Sequence, residues 1–201
     1  MGRKSDARER LLETAARLVP ERGYHGVGVQ ELCNVAGIKP GSFYYLFPSK
    51  QQLVIAVLEK TWEDTRNYIF TPIQTSNLSP LEKIREFFMR TCHLHAHRSS
   101  EGKPVLGCTF AVLGGELATQ DQVINRKVQE IFSLFTGYFE EWITQAYEDE
   151  LIALPKERIP DTAKALLCYT EGVALIARIH NDAETFSRMA EGALRLANPK
   201  K

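Results

Sequence analysis

Hydrogen-bonding and phosphate-binding side chains concentrate in one stretch of the sequence, residues 29–50, which reads VQELCNVAGIKPGSFYYLFPSK. A glutamine side chain can bond two edge atoms of an adenine, and lysine and tyrosine suit phosphate oxygens. A small serine lets the backbone approach the base edges closely. The stretch combines these types in Gln30, Ser42, Tyr44, Tyr45 and Lys50. Side chains of these kinds can contact bases and phosphates when one surface presents them together.

The apolar residues of the same stretch predict two short helices that would present those side chains. One face of the first helix is apolar: Val29, Leu32, Cys33 and Ala36. Gly37 ends this helix, as a residue that can adopt the left-handed conformation would. Pro40 stands in the first turn of the second helix, where its missing N–H costs nothing, and Phe43 and Phe47 form the buried edge. This is a helix-turn-helix arrangement, whose second helix enters the major groove.

The segment resembles the DNA-binding region of the TetR family of transcriptional regulators. It carries ERGYHG at residues 21–26, followed by ELCNVAGIKPGSFYYLFPSK at residues 31–50. Two positions depart from the family pattern: Gly28, where a Ser or Thr helix cap is common, and Leu46, where a polar residue is common. Glycine is an accepted helix N-cap, although it offers no hydroxyl to a phosphate. The alternative is a small helical bundle with an aromatic core and no nucleic-acid partner.

The resemblance implies that residues 39–46 lie in the major groove and that Tyr44 and Lys50 contact the DNA backbone. By its residue type, Gln30 suits a hydrogen-bonding contact to adenine. Tyr45 either binds phosphate or packs against Leu53. The predicted DNA contacts are Gln30, Lys39, Pro40, Gly41, Ser42, Tyr44, Tyr45 and Lys50. A two-fold dimer would read an inverted repeat whose half-sites are about one helical turn, or a multiple of it, apart.

Composition and charge are ordinary for a globular protein, but the charge is unevenly distributed. The chain has 201 residues, 44% of them hydrophobic, with 25 basic and 25 acidic side chains. Residues 1–60 carry nine basic and six acidic side chains, a net charge of +3, which leaves −3 for the remainder. The four cysteines form no CxxC pair, no signal peptide precedes them, and no apolar run approaches a membrane span. We therefore expect a cytoplasmic protein with free thiols and no membrane partner.

The whole pattern predicts an all-α protein of about nine helices in two domains. Residues 1–50 would form a three-helix helix-turn-helix domain, and residues 51–201 a helical ligand-binding and dimerisation domain. We predict the helices at 6–22, 29–36, 39–46, 49–70, 80–96, 105–118, 121–151, from 161 onward, and 183–197. The helix at 49–70 contains no Gly or Pro before Thr71-Pro72 interrupts it. In proteins that it resembles, this helix transmits the ligand signal to the DNA-binding domain.

The helix that begins at Asp161 is apolar on nearly all sides and must therefore be covered on all sides. We predict that this helix and the last one form a four-helix bundle with a second copy of the chain. The alternative is that both helices complete the core of a single chain. The predicted interface residues are Leu167, Thr170, Val173, Ala174, Ala177, Phe186, Met189 and Ala193.

The resemblance also implies a small-molecule effector, bound within the helical body, that lowers the affinity for DNA. Its pocket would lie among the helices at 49–70, 80–97, 105–118 and 121–151. The candidate lining residues, each of which can instead be a plain core residue, are Trp62, Arg66, Phe88, Cys92, Cys108, Phe110, Phe132, Phe135 and Trp142. Such an aromatic set favours a flat or apolar effector.

Three further polar features leave alternatives open. His93 and His97 share a helix face beside Cys92, which suits either a metal site or a solvated surface, and we predict no metal and no cofactor. Cys108, in an apolar stretch, is either an electrophile sensor or an inert buried thiol. Glu171 and Arg178 interrupt an apolar helix and belong either to the dimer interface or to the pocket.

The functional expectation is a ligand-responsive transcriptional regulator, with repression as its expected mode of action. We do not expect an enzyme, because the sequence contains no Ser–His–Asp set, no phosphate-binding loop and no HExxH motif. The alternative function is that of a small-molecule-binding or electrophile-sensing helical protein that keeps a vestigial DNA-binding domain.

Overall fold

A computed structural model of the chain describes residues 2–200, without the side chains of residues 2–5, 98 and 99. Over this range the fold is built from α-helices, so the all-α prediction is confirmed. A single antiparallel bridge between Ile152 and Pro199 pairs two extended segments within the described range. No helix among the described residues is both long enough and apolar enough to cross a bilayer.

The helices follow the predicted order. They are α1 (Gly2–Arg22), α2 (Val29–Ala36), α3 (Phe43–Leu46), α4 (Lys50–Thr65), α5 (Thr71–Gln74), α6 (Pro80–Ser100), α7 (Thr109–Leu117), α8 (Gln122–Glu148), α9 (Ile159–His180) and α10 (Glu184–Leu196). Single 3-10 turns, Pro40–Ser42 and Lys156–Arg158, precede α3 and α9, and a π-helical turn, Arg66–Phe70, joins α4 to α5. With 50–74 taken as one continuous helical segment, the described residues form nine helices, the number expected.

The chain divides into two compact units. The first unit comprises Met1–Glu63 and Thr109–Gln129, and the second comprises Asp64–Cys108 and Glu130–Lys201. Most of α4, all of α7 and the start of α8 belong to the first unit, together with α1, α2 and α3. The domain boundary at residue 50 stays a prediction.

The first unit is held together by one apolar cluster drawn from α1, α2, α3 and α4. Its fully buried members recur at helical spacing along each helix: Leu11, Ala15, Val19, Leu32, Cys33, Phe43, Leu53, Val54, Val57 and Leu58. Burying each large aliphatic or aromatic side chain contributes about 1.5–3 kcal/mol. These contacts therefore fix the short helices α2 and α3, which would be unstable in isolation.

The second unit has an aromatic core. Phe70 stacks on Tyr138 with 4.4 Å between ring centroids and meets Phe135 edge-on at 4.9 Å. Trp142 is 1% exposed, and its indole N–H donates to Gln74 Oε1 at 2.8 Å. The only polar atom of this large side chain is thus satisfied, as a buried indole requires.

The helix predicted at 49–70 is neither uniform nor ended by Pro72. Pro72 occupies the first turn of α5, and the five residues before α5 form the π-helical turn. Proline lacks the N–H that would bond the carbonyl four residues earlier. That carbonyl belongs to Tyr68, and it accepts a hydrogen bond from Arg90 Nη1 at 3.2 Å instead. The combination of a widened turn and an external donor lets the helical segment continue to Gln74.

The segment between α6 and α7 also differs from the prediction. Helix α6 extends to Ser100, whereas residues 105–108, predicted as helical, are not helical, and α7 begins only at Thr109. Gly107 has φ +65°, and a Cβ at this position would lie 2.7 Å from the carbonyl oxygen of Ala174. The helical interpretation was wrong because this glycine permits a left-handed conformation and a close backbone approach to α9.

Candidate functional site

The turn between α2 and α3 has the geometry that the sequence predicts. Gly37 has φ 66° and ψ 38°, and its N–H donates to Asn34 O at 3.2 Å. The N–H of Ile38 donates to Cys33 O at 2.8 Å. This pair of bonds ends α2 as a Schellman motif. At the other end of α2, Gly28 is the N-cap with no side-chain hydrogen bond, as the departure from the family pattern indicates.

Two buried phenylalanines orient α3. Phe43 is 0% exposed and Phe47 is 3% exposed, and their ring centroids are 6.5 Å apart. The α-helical part is shorter than predicted, because the Pro40–Ser42 turn replaces its first turn. The two buried rings therefore determine which face of α3 is exposed to solvent.

Seven of the eight predicted DNA contacts lie on the surface of the first unit. They are exposed: Gln30, Lys39, Pro40, Gly41, Ser42, Tyr44 and Tyr45. Tyr44 is 66% exposed and Tyr45 70% exposed, so most of each side chain lies in solvent. We call the surface formed by these seven residues the α3 surface. It combines hydroxyl, amide and ammonium groups that can bond bases and phosphates.

Lys50, the eighth predicted contact, is half-buried. Its ammonium group donates to the carbonyl oxygen of Tyr24 and lies 4.2 Å from the centroid of the Tyr24 ring. Burial lowers the pKa of Lys50, and the carboxylate of Glu116 partly opposes that effect. Since an ammonium group has three donors, the bond to Tyr24 is compatible with a phosphate contact, which stays a prediction.

Glu116, at the end of α7, holds the turn between α1 and α2. Its Oε2 accepts the backbone N–H of Tyr24 at 2.7 Å, and its Oε1 accepts that of His25 at 3.0 Å. A second contact nearby joins Gln51 Nε2 to Asp121 Oδ2 at 2.7 Å. Sequence reasoning missed Glu116, because 92 residues separate it from Tyr24 and no local pattern marks such a pair.

The predicted effector-binding residues are divided between the two units. Trp62 and Phe110 belong to the first unit and the other seven to the second. Arg66 is exposed, while Trp62, Cys108 and Phe132 are half-buried; the remainder are buried: Phe88, Cys92, Phe110, Phe135 and Trp142. Phe135 and Trp142 are members of the aromatic core described above. The role of these nine residues as effector contacts stays a prediction.

The Cys92 region shows no metal-binding geometry in the part of the chain that is described. Cys92 is 2% exposed, and burial raises the pKa of its thiol, although a hydrogen bond with Ser187 partly offsets this. His93 and His97 are both exposed. Among the described residues, no group of three or more His, Cys, Asp or Glu side chains could hold a metal ion.

Glu171 lies in the second unit against Cys108. The Cys108 side chain forms a hydrogen bond with the Glu171 carboxyl group, and burial raises the pKa of that carboxyl group to about 7. Arg178, two turns further along α9, donates from Nη1 to Leu106 O at 3.0 Å. Glu171 and Arg178 are therefore both directed at residues 105–108.

The structure revises which residues of α9 and α10 are available to a second copy of the chain. Six of the eight predicted interface residues are buried within the chain itself: Thr170, Val173, Ala174, Ala177, Phe186 and Ala193. Leu167 is half-buried, and Met189 is 41% exposed. The exposed apolar residues of α9 are instead Leu175, Ile176 and Ile179, at 57%, 45% and 65%. We call these three residues the α9 surface. The predicted interface residues stay a prediction, because a helix that is apolar on all sides gives no sequence signal for its outer face.

Together these features place the chain in the class of helix-turn-helix transcriptional regulators. Residues 11–57 match the family described as "Bacterial regulatory proteins, tetR family". The DNA-binding region of the chain is therefore that of the TetR family of transcriptional regulators.

The resemblance extends beyond the DNA-binding helices. The chain is 24% identical over 182 residues, 90% of its length, to 87% of the HTH-type transcriptional repressor DhaR of Mycobacterium sp. (strain GP1). A TetR-family regulator from Agrobacterium tumefaciens has a similar structure, with a TM-score of 0.82 at 20% identity over 96% of this chain and 97% of that one. The structure of AibR with isovaleryl coenzyme A and operator DNA has a TM-score of 0.71 at 21% identity, over 96% of this chain and 100% of that one. The first two of these relatives are described as transcriptional regulators, and the third was solved with operator DNA.

Proposed function

We propose that the protein is a homodimeric repressor that binds an inverted-repeat operator through the α3 surface and releases it when a small effector binds. The observation that carries this proposal is the exposed set of DNA-compatible side chains on a helix held by Phe43 and Phe47. Two similar proteins add support: DhaR is a repressor, and AibR has been solved with both a ligand and operator DNA. We infer that the protein acts in the cytoplasm and has no catalytic activity.

Within the α3 surface we propose a division between residues that read sequence and residues that position the protein. Gln30 is exposed at the start of α2, and its amide can bond adenine in a bidentate manner. Tyr44 and Tyr45 expose phenolic hydroxyls, which suit phosphate oxygens. Lys39 and Lys50 would add charge-assisted contacts to the DNA backbone, and such contacts weaken as salt is added.

The proposed dimer uses the α9 surface together with Met189 and Leu196 of α10. These residues are exposed, and all are apolar. Covering exposed isoleucine and leucine side chains with a matching apolar surface removes them from water, which is favourable. A two-fold operator requires a two-fold protein, so a second copy of the chain is the partner that agrees with the proposed DNA site.

The proposed effector binds among the helices that follow the DNA-binding domain. The aromatic residues among the candidate lining residues suit a flat or apolar molecule. The effector would lower DNA affinity because it binds the DNA-free state of the protein more tightly than the DNA-binding state. This difference in binding free energy is commonly 1–3 kcal/mol. This difference must be reciprocal, so operator DNA should weaken effector binding by the same factor.

The test begins with selection of binding sites from fragmented host DNA by the purified protein. Recovery of one inverted repeat is expected, and no enrichment at low salt would contradict the regulator function. The recovered site is then measured against a scrambled site with two variants. Tyr44→Phe should weaken binding to both DNAs by a similar factor, whereas Gln30→Ala should weaken binding to the recovered site alone.

A matched control is Tyr147→Phe, which removes the hydroxyl of an exposed tyrosine at the end of α8. It should leave binding to both DNAs unchanged. Equal losses on the two DNAs for Gln30→Ala would show that Gln30 does not read the sequence.

A further inference from the structure

Glu171 places a carboxyl group between apolar residues of α9. Its neighbours about one helical turn away are Leu167 and Cys168 on one side and Ala174 and Leu175 on the other. The carboxyl group is engaged with the Cys108 side chain, while its Oε2 is buried and has no hydrogen-bond partner among the described residues. The adjacent Thr170 is 4% exposed, and its hydroxyl oxygen likewise has no partner in the described part of the chain. Two consecutive residues of α9 thus bury oxygens without donors.

A buried carboxylate without a donor is unfavourable, because it loses hydration and gains nothing in return. Glu171 Oε2 accepts no hydrogen bond from the described residues. Two donors at and facing residues 105–108 bond other acceptors. Arg178 donates from Nη1 to Leu106 O at 3.0 Å, and the backbone N–H of Val105 donates to Asn181 Oδ1 at 2.8 Å. The structure therefore keeps an acid at a place where the described residues leave one of its buried oxygens without a donor.

We propose that Glu171 is the recognition group for the effector and that the effector carries a protonated amine on an apolar body. This inference rests on the proposed effector-responsive function and adds the chemical class of the effector. An ammonium group supplies both the missing hydrogen-bond donor and the opposite charge. The apolar neighbours Leu167 and Ala174 suit the body of such a molecule rather than a second polar group.

The protonation of Glu171 makes amine binding sensitive to pH. Burial raises the pKa of this carboxyl group to about 7, which the hydrogen bond with Cys108 partly opposes. Cys108 and Arg178 are the titratable groups directed at this region. An amine of pKa ~10 stays charged between pH 6 and pH 8, while the ionised fraction of Glu171 rises roughly tenfold. The affinity for the amine should therefore rise by about tenfold over that interval.

The test uses three probes that share one apolar body: 4-phenylbutylamine, 4-phenylbutanol and 4-phenylbutyrate. Their binding to the full-length protein is measured by calorimetry at pH 6 and pH 8. The amine is expected to bind at least tenfold more tightly than the alcohol and the acid at pH 8. Equal binding of amine and alcohol, or no binding of any probe, would overturn the proposal.

Three variants test whether the Glu171 carboxylate itself recognises the amine. Glu171→Gln keeps the shape of the side chain and should remove both the preference for the amine and its pH dependence. Glu157→Gln, which neutralises an exposed acid in the same unit, should change neither. If Cys108→Ser abolished amine binding while Glu171→Gln did not, the thiol would be the recognition group and the proposal would be wrong.

Failure of this inference is distinguishable from failure of the proposed function. Glu171→Gln should still bind the recovered operator, because the α3 surface is unchanged. A wild-type protein that binds the amine but no DNA would contradict the repressor function alone. A protein that binds the operator but shows no amine preference would contradict the effector class alone.

Discussion

The α3 surface and the α9 surface both expose large side chains, but their chemistry is different. Tyr44 and Tyr45 are 66% and 70% exposed, yet each ends in a hydroxyl group that water can solvate. Ile176 and Ile179 are 45% and 65% exposed and have no polar atom in their side chains. An exposed tyrosine is stable in water and also available to a phosphate or a base. An exposed aliphatic cluster is stabilised only by another apolar surface.

Exposure alone therefore does not identify a partner, whereas the atoms at the tip of the exposed side chain do. The α3 surface includes Lys, Ser and Gln side chains and suits a polar, charged partner. The α9 surface is formed by aliphatic side chains alone and suits a second copy of itself. Four predictions test this contrast and the internal contacts behind each surface.

The largest effect is expected from a charge within the α9 surface. Ile176→Glu should convert the dimer to a monomer and weaken operator binding by more than about 100-fold, because a buried, unpaired carboxylate opposes association. Analytical ultracentrifugation and DNA titration measure the two effects. Leu134→Glu, at a residue of similar exposure on α8, is the control and should remain dimeric. A dimeric Ile176→Glu protein would place the interface elsewhere.

The next effect concerns Glu171 of α9 and depends on pH. The pKa of Glu171 is raised by burial from 4.5 to about 7, so the folded state binds the proton more tightly than the unfolded state. The stability that this group contributes should therefore be fully present below pH 4.5 and fall by up to about 3 kcal/mol as the pH rises to 7.

Denaturant titrations of the wild type and of Glu171→Gln at a series of pH values measure this contribution. The difference in unfolding free energy between the two proteins should change between pH 4.5 and pH 7 and be constant above that range. A difference independent of pH would mean that Glu171 is solvated and ionised in the folded protein.

Behind the α3 surface, Glu116 is expected to have a smaller effect on stability. Glu116→Ala removes the acceptor of two backbone hydrogen bonds, at 2.7 and 3.0 Å, and should cost about 1–3 kcal/mol. Glu13→Ala removes the same charge from an exposed position of α1 and should cost little. Chemical denaturation measures the unfolding free energy of each variant. If the two variants were equally stable, the bonds to Tyr24 and His25 would not hold the turn.

The smallest effect is expected at the start of α2. Gly28 has φ −83° and ψ 155°, which serine adopts readily, and a Cβ would meet no atom within 4 Å. Gly28→Ser should add the missing N-cap hydrogen bond and raise stability by a few tenths to about 1 kcal/mol. Gly28→Ala, which provides no acceptor, should not stabilise. Thermal unfolding compares the stability of the two variants. Equal gains in stability would exclude helix capping as the cause.

The α3 surface could be predicted from the sequence because its determinants are local. Gly37 ends α2, Pro40 opens the next turn, and Phe43 and Phe47 lie one helical turn apart, so a window of about twenty residues contains every signal. Helix order and number follow from the same periodicity. Boundaries were less accurate where a glycine changed the backbone, as at Gly107.

The remaining features depend on contacts between distant segments, which no local pattern records. The bond between Glu116 and Tyr24 joins residues 92 positions apart. The outer face of α9 could not be chosen, because its apolar residues surround the helix and only packing against other helices, α10 among them, decides which are covered. The acid at Glu171 was visible in the sequence, but its contact with Cys108 was not.

The π-helical turn at Arg66–Phe70 has a consequence for how this chain tolerates insertions and deletions. A π turn holds one residue more than an α turn, and each residue of an α-helix turns the chain by about 100°. Removing one residue there would leave an ordinary α turn, so the fully buried Ile73 would keep its present direction. Removing one residue from α4 before this turn would instead rotate every side chain between the deletion and the turn by about 100°. Alignments of homologous sequences should therefore place one-residue length differences within residues 66–70 rather than within residues 50–65.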